Sequence, residues 1–202
     1  MSHIARLFTP EPLVEGQEIS LPADQTRYLT RVMRLEAGAI VRVFNGQDGE
    51  WRCELAGTPK SAVLIPQQQV RPQHSGPDLT LLFAPIKKAR TDFIVEKATE
   101  LGVRTIQPVF TDYCQTNRVR IDRFESLAIE ASEQTERMDV PNIYEARALP
   151  KVLSEWDAHH PLIFCDESAQ AAPLANYSKQ LHEKPAGRSE EHTSELQSPC
   201  NL

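Results

Sequence analysis

The first third of the chain has a two-residue rhythm. Val41-Arg42-Val43-Phe44 and Glu50-Trp51-Arg52-Cys53-Glu54-Leu55 both alternate apolar and polar positions, with Asn45-Gly46-Gln47-Asp48-Gly49 between them. Two period-2 runs around a Gly/Asn-rich turn predict a β-hairpin. Ser61 to Ile65 adds a third strand. Between Asp24 and Leu35 the period lengthens: Tyr28, Leu29, Val32, Met33 and Leu35 recur at helical spacing, with Asp24 placed to cap the helix. Val70 to Pro77 is rich in Pro, Gly and Ser and predicts a linker.

From Asp78 the pattern changes. Leu79 to Ala84 is a continuous apolar run, as in a buried strand. A helix follows, capped by Thr91 or Asp92 and ending at Gly102. Val103 to Phe110 reads as a strand. Ile121 to Met138 reads as a helix with Ile121, Phe124, Leu127, Ala128 and Ala131 on one stripe. A short strand at Asn142 to Ala146, a helix at Leu149 to Trp156 and an apolar strand at Leu162 to Cys165 complete the series. Strands alternating with helices predict a parallel α/β sheet behind a β-rich N-terminal domain. The expected boundaries are 1–72 for the β domain, 73–186 for the α/β domain and 187–202 for a tail. That tail, from Gly187 to Ser198, has no periodicity and resembles the translation of a sequencing-adapter oligonucleotide, so it is expected to be non-native.

Composition narrows the functional classes. The formal net charge is −6, which argues against coating nucleic acid through bulk charge but leaves room for a local basic face. With no apolar stretch of membrane-spanning length and no signal-peptide pattern, the chain reads as cytoplasmic. Cys53, Cys114, Cys165 and Cys200 form no C-x-x-C pair, so neither a disulfide framework nor a zinc site is expected. Cys165 is expected in a core strand. His159-His160 lacks a third ligand, and no metal site is expected. There is no Rossmann glycine fingerprint, phosphate-binding loop, H-E-x-x-H or G-x-S-x-G.

The candidate chemistry lies in charged groups on helices and turns. Arg27, Arg31 and Arg34 are spaced i, i+4, i+7, and Arg6 precedes them. Such a stripe suits phosphate contact, although a solvated helix face has the same pattern. Lys87, Lys88 and Arg90 crowd a strand-to-helix turn, where the helix dipole favours anions; a phosphate partner resolves that conflict. Glu96 and Glu100 flank Lys97 on one helix. Glu130, Gln134 and Arg137 make a polar stripe on the next, facing either solvent or a partner.

Taken together, several segments resemble one family. They are Arg27 to Arg34, Phe44-Asn45-Gly46, Lys87 to Asp92, Glu96 to Val103, Ala128 to Gln134, Arg137, Pro141 and Asp166-Glu167-Ser168. The combination resembles the bacterial 16S ribosomal RNA uracil-N3 methyltransferases, the small-subunit methyltransferase E family. Thr111-Asp112 departs from the family's Thr-Glu-Arg form. The resemblance implies an α+β two-domain fold: a PUA-like β-barrel that helps bind RNA and a SPOUT-type α/β domain with a trefoil knot. It implies S-adenosylmethionine as cofactor, no metal, a homodimer, and 16S rRNA of the small ribosomal subunit as partner. Arg6, Arg27, Arg31 and Arg34 would then grip phosphates, with Lys87, Lys88 and Arg90 near the substrate strand. Glu96, Glu100, Glu130, Gln134 and Arg137 would face the active site or the dimer partner. No catalytic base is assigned.

The family's Gly-Pro-Glu-Gly-Gly and Leu-Arg-x-Glu-Thr-Ala segments, which build the knot and the cofactor pocket, do not occur in these 202 residues. The pocket is therefore expected after Ala186. The chain as it stands is expected to lack activity, to leave a sheet edge uncovered and to be poorly soluble. Two other readings stay open: a non-catalytic RNA-binding and dimerisation module, and a small-molecule-binding α/β protein.

Overall fold

The computed structural model describes residues 4–114, 116, 118–165 and 192–197. Asp166-Glu167-Ser168, Cys200 and the remainder of the tail lie outside them. The chain divides into two units, 1–75 with 132–139 and 76–131 with 140–202.

The first unit is a five-stranded sheet ordered β1-β3-β4-β5-β2, formed by Arg6–Phe8 (β1), Ile19–Ser20 (β2), Ile40–Phe44 (β3), Glu50–Thr58 (β4) and Ser61–Arg71 (β5). β1 pairs with β3 in parallel and the other pairings are antiparallel. The predicted β3–β4 hairpin is present. Its turn is held by Asn45, whose Oδ1 accepts from the Gln47 and Asp48 amides at 2.9 and 2.8 Å. The Leu13 amide and then the Asn45 side chain hold the Asp48 carboxyl below its usual range. Inward-facing Ala5, Leu7, Val41, Val43, Cys53, Leu55 and Leu64 make the core. Burial pushes the Cys53 thiol up to about 12, so it is inert at neutral pH.

Two expectations change here, and the β4–β5 ladder adds a finding. β5 runs on to Arg71, so the predicted linker begins later. The register of β4 against β5 shifts at two irregularities, between Glu50 and Trp51 and between Arg52 and Cys53. The helix begins at Ala23 with Pro22 rather than Asp24 at the cap; α1 is Ala23–Arg27, and a π-helical stretch continues it over Tyr28–Val32.

The second unit is a parallel sheet ordered β10-β11-β6-β7-β8. Its strands are Asp78–Phe83 (β6), Thr105–Phe110 (β7), Asn142–Ile143 (β8), Leu162–Cys165 (β10) and His192–Gln197 (β11), with Arg147–Ala148 (β9) beside the end of β7. Strands buried on both faces need helices on both sides. Leu81, Phe83 and Ile106 pack with Val95 and Ala98 of α2 (Lys88–Glu100) and Phe124 and Leu127 of α3 (Ile121–Gln134). Leu82 and Val109 face the other way, onto Val152 of α4 (Leu149–Ser154).

α2 ends as predicted. Gly102 takes φ +90°, its amide donates to Thr99 and the Val103 amide donates to Ala98, both at 3.0 Å, which is the Schellman pair of bonds. The start differs: Lys87 is the cap residue, and Thr91 instead locks the turn. Its hydroxyl accepts from the Ile86 amide at 3.0 Å and is within 3.1 Å of the Ile86 carbonyl. α3 stops at Gln134, short of Met138, because Glu136 turns left-handed.

The segment expected to be a non-native tail holds β11, which pairs in parallel with both β6 and β10. Cys165 is exposed, not in a core strand; β10 is the outermost of the described strands.

Candidate nucleic-acid interface

The basic surface of the first unit grows from one helix. Thr26 and Leu29 are buried, and Met33 and Leu35 pack against the core. Burying that side leaves Arg27, Tyr28, Arg31, Val32 and Arg34 exposed. The π-helical stretch closes with the Met33 amide on the Tyr28 carbonyl at 2.9 Å, and the Leu35 amide reaches back to Leu29 at 2.9 Å. Thr30 Oγ1 donates to the Thr26 carbonyl at 2.8 Å.

The predicted arginine stripe is altered by this geometry. Arg27 and Arg31 remain four apart on the helix. Arg34 lies beyond it, at φ +54°. Among the described residues none of the three side chains has a hydrogen-bond or ion-pair partner. Uncompensated cations side by side on an acidic chain are the arrangement a polyanion would neutralise.

Arg6 is a different case and corrects its sequence assignment. It is buried, not on a phosphate-facing surface. Nε donates to Glu50 Oε2 at 2.8 Å, Nη1 to the Ser132 carbonyl at 2.7 Å and Nη2 to the Arg137 carbonyl at 2.6 Å. Its guanidinium also stacks 3.9 Å from the Phe44 ring centroid. Burial pulls its pKa down, opposed by the Glu50 hydrogen bond. Glu50 is fully buried and also meets Arg42 at 3.3 Å and Arg71 at 3.5 Å.

These bonds explain why 132–139 belongs to the first unit. The Phe8 amide donates to Glu133 Oε1 at 2.9 Å, and Arg71 donates to the Glu136 carbonyl at 3.2 Å. Arg137, predicted to continue a stripe with Glu130 and Gln134, lies past the helix end. It is largely buried in a two-point pair with Asp139, at 2.7 and 3.1 Å. Glu130 and Gln134 are exposed. Glu50 and Glu133 were not among the predicted site residues; an ionic residue at the start of an alternating strand is the one local signal for Glu50.

In the second unit Lys87, Lys88 and Arg90 are exposed around the start of α2, without side-chain partners among the described residues. Glu96 and Glu100 are not free. Both bind Lys97, at 3.0 and 2.7 Å, and Glu100 first, then Glu96, holds that ammonium above its ordinary range. No metal-binding cluster occurs among the described residues, and no helix among them is long and apolar enough to cross a membrane.

Comparison with known proteins places these two units. Residues 21–67 match the RNA methyltransferase PUA domain, and residues 73–188, over half of the chain, match the RNA methyltransferase domain. The chain belongs to the RNA methyltransferase family. Among curated members, the ribosomal RNA small subunit methyltransferase E of Rickettsia conorii is 32% identical over 74% of this chain and 62% of its own length. The protein of the same name from Synechocystis is 30% identical over 66% of this chain and 45% of its own. The chain thus spans less than two thirds of either relative. A crystal structure of a ribosomal RNA small subunit methyltransferase E from Neisseria gonorrhoeae, bound to S-adenosyl methionine, matches with a TM-score of 0.80 at 23% identity, covering 96% of this chain and 78% of that one. The RNA methyltransferase fold, a PUA unit followed by an α/β unit, is shared at that distance.

Proposed function

We propose that this chain carries the RNA-recognition unit and part of the catalytic unit of a 16S rRNA methyltransferase. In that reading the whole protein transfers a methyl group from S-adenosylmethionine to N3 of a uridine, in the cytoplasm and as a homodimer. The observation that carries it is the unpaired set Arg27, Arg31 and Arg34 within the segment that matches the PUA domain. Phosphate contacts fix position on RNA, and guanidinium forks suit them. In the α/β unit, Lys87, Lys88 and Arg90 surround a strand-to-helix turn, the place where ligands of parallel sheets bind. Uracil N3–H is a weak acid, so the reaction needs a proton acceptor and a base held in line with the methyl donor.

The role assigned to these residues is RNA binding, which also supports a second reading: an RNA-binding module without catalysis.

The test is the salt dependence of binding to a small-subunit rRNA fragment. Each lost phosphate contact lowers the slope of log K against log salt by about 0.7–0.9. Replacing Arg27, Arg31 and Arg34 by Ala should lower it by roughly 2. An unchanged slope in a folded triple variant removes this surface from RNA binding.

A further inference from the structure

We infer that Tyr28 is a base-stacking platform, so that the basic helix face recognises RNA at an unpaired, splayed-out nucleotide rather than along a duplex. This rests on the RNA reading above and names the form of RNA it takes.

The observations are local. Tyr28 is 41% exposed and Val32 66% exposed, although both are apolar positions of a helix whose other apolar residues turn inward. They are four residues apart on one side of a π-helical stretch. Arg27 and Arg31 have the same spacing and form the adjacent column. An aromatic face beside an aliphatic one is thus framed by two cations and followed by Arg34, all three without partners among the described residues.

That combination selects its occupant by chemistry. A purely anionic duplex surface would use the arginines and leave Tyr28 and Val32 in water. A protein partner would be expected to meet the cations with carboxylates. A single-stranded segment uses both: the phosphates take the arginines, and the flat base covers the ring. The π-helical stretch supplies the geometry. In a regular α-helix the Met33 amide would bond Leu29; here it bonds Tyr28 one residue further back, and Leu29 still reaches the core while Tyr28 does not.

The experiment uses the full chain, wild type and Tyr28→Ala, Tyr28→Phe and Tyr28→Trp, with an unstructured oligoribonucleotide and a duplex of equal length at fixed salt. Removing one stacked base contact should weaken single-strand binding by about 5- to 100-fold. Tyr28→Ala should show that loss with an unchanged salt slope and an unchanged duplex affinity. Phe and Trp should retain binding, because the ring and not the hydroxyl is used. Thermal unfolding of each variant shows that it is folded. Equal single-strand binding by wild type and Tyr28→Ala overturns the stacking role while leaving the arginine surface standing. A wild-type chain that binds neither RNA overturns both. A change in self-association with Tyr28→Ala, without a change in RNA binding, assigns the face to a second copy of the chain and also defeats the inference.

Discussion

Arg6 ends a helix it does not belong to. The carbonyls of Ser132 and Glu133 lie in the last turn of α3, where main-chain acceptors run out of intrahelical donors, and the Arg137 carbonyl lies just beyond; one guanidinium supplies bonds to all three. Its fourth bond neutralises Glu50, which is fully buried. Removing one partner of a buried pair leaves an uncompensated charge, typically at a cost of about 3–5 kcal/mol. Arg42 and Arg71 stay near Glu50, so Arg6→Ala is expected at the lower end, about 3 kcal/mol. Arg6→Lys keeps the charge but not the planar fork and should recover less than half of that. Urea unfolding at neutral pH measures both; a cost below about 1 kcal/mol for Arg6→Ala would falsify the assigned role. The sequence placed Arg6 with the phosphate-binding arginines because its pattern offers nothing else. Its partners lie 44 and 126 or more positions away, and no local spacing reports such bonds. Arg27 and Arg31 were legible because their neighbours on the helix suffice to put them outward.

The same division holds for elements. The β3–β4 hairpin, β6, α2 with its glycine stop, β7 and the buried stripe of α3 follow from periodicity and turn residues, since each is decided within a dozen positions. The π-helical stretch, the two register shifts of β4 and the early end of α3 were not legible, because each is set by what the element packs against. Two glycines separate these causes. Gly102 closes α2 at φ +90° with open space around it, so Gly102→Ala is charged only for its backbone, about 1–2 kcal/mol. Gly49, at φ +76°, sits where an added Cβ would stand well inside contact distance of the Arg71 carbonyl and at 2.8 Å from the Gln73 amide nitrogen. Gly49→Ala should therefore cost clearly more than Gly102→Ala and shift the β4–β5 pairing that carries Glu50 and Arg71. Denaturation midpoints of the two variants order them; equal midpoints would mean that the strand edge yields freely.

At the scale of the whole molecule, the parallel sheet leaves one strand in an unusual state. Leu162-Ile163-Phe164-Cys165 is a continuous apolar run, the signature of a strand buried on both faces. Its place in the order β10-β11-β6-β7-β8 gives it one neighbour among the described residues, and Leu162 and Phe164 are 40% and 56% exposed. Composition alone predicted a core strand because it cannot tell how many neighbours a strand finds. An apolar strand at the edge of the described sheet, with Leu162 and Phe164 exposed, is a template for pairing with another chain. Self-association of the 202-residue chain should therefore rise with concentration and with added sulfate, which strengthens apolar burial. Phe164→Lys places a charge on that edge, the means by which natural sheets block such pairing. It should shift sedimentation toward the monomer while changing unfolding stability by no more than about 0.5 kcal/mol, as for other surface substitutions. If Phe164→Lys instead unfolds the chain, the strand is buried in solution. If it leaves association unchanged, the copies meet through another face, and the arginine-framed surface at Tyr28 and Val32 is the next to substitute.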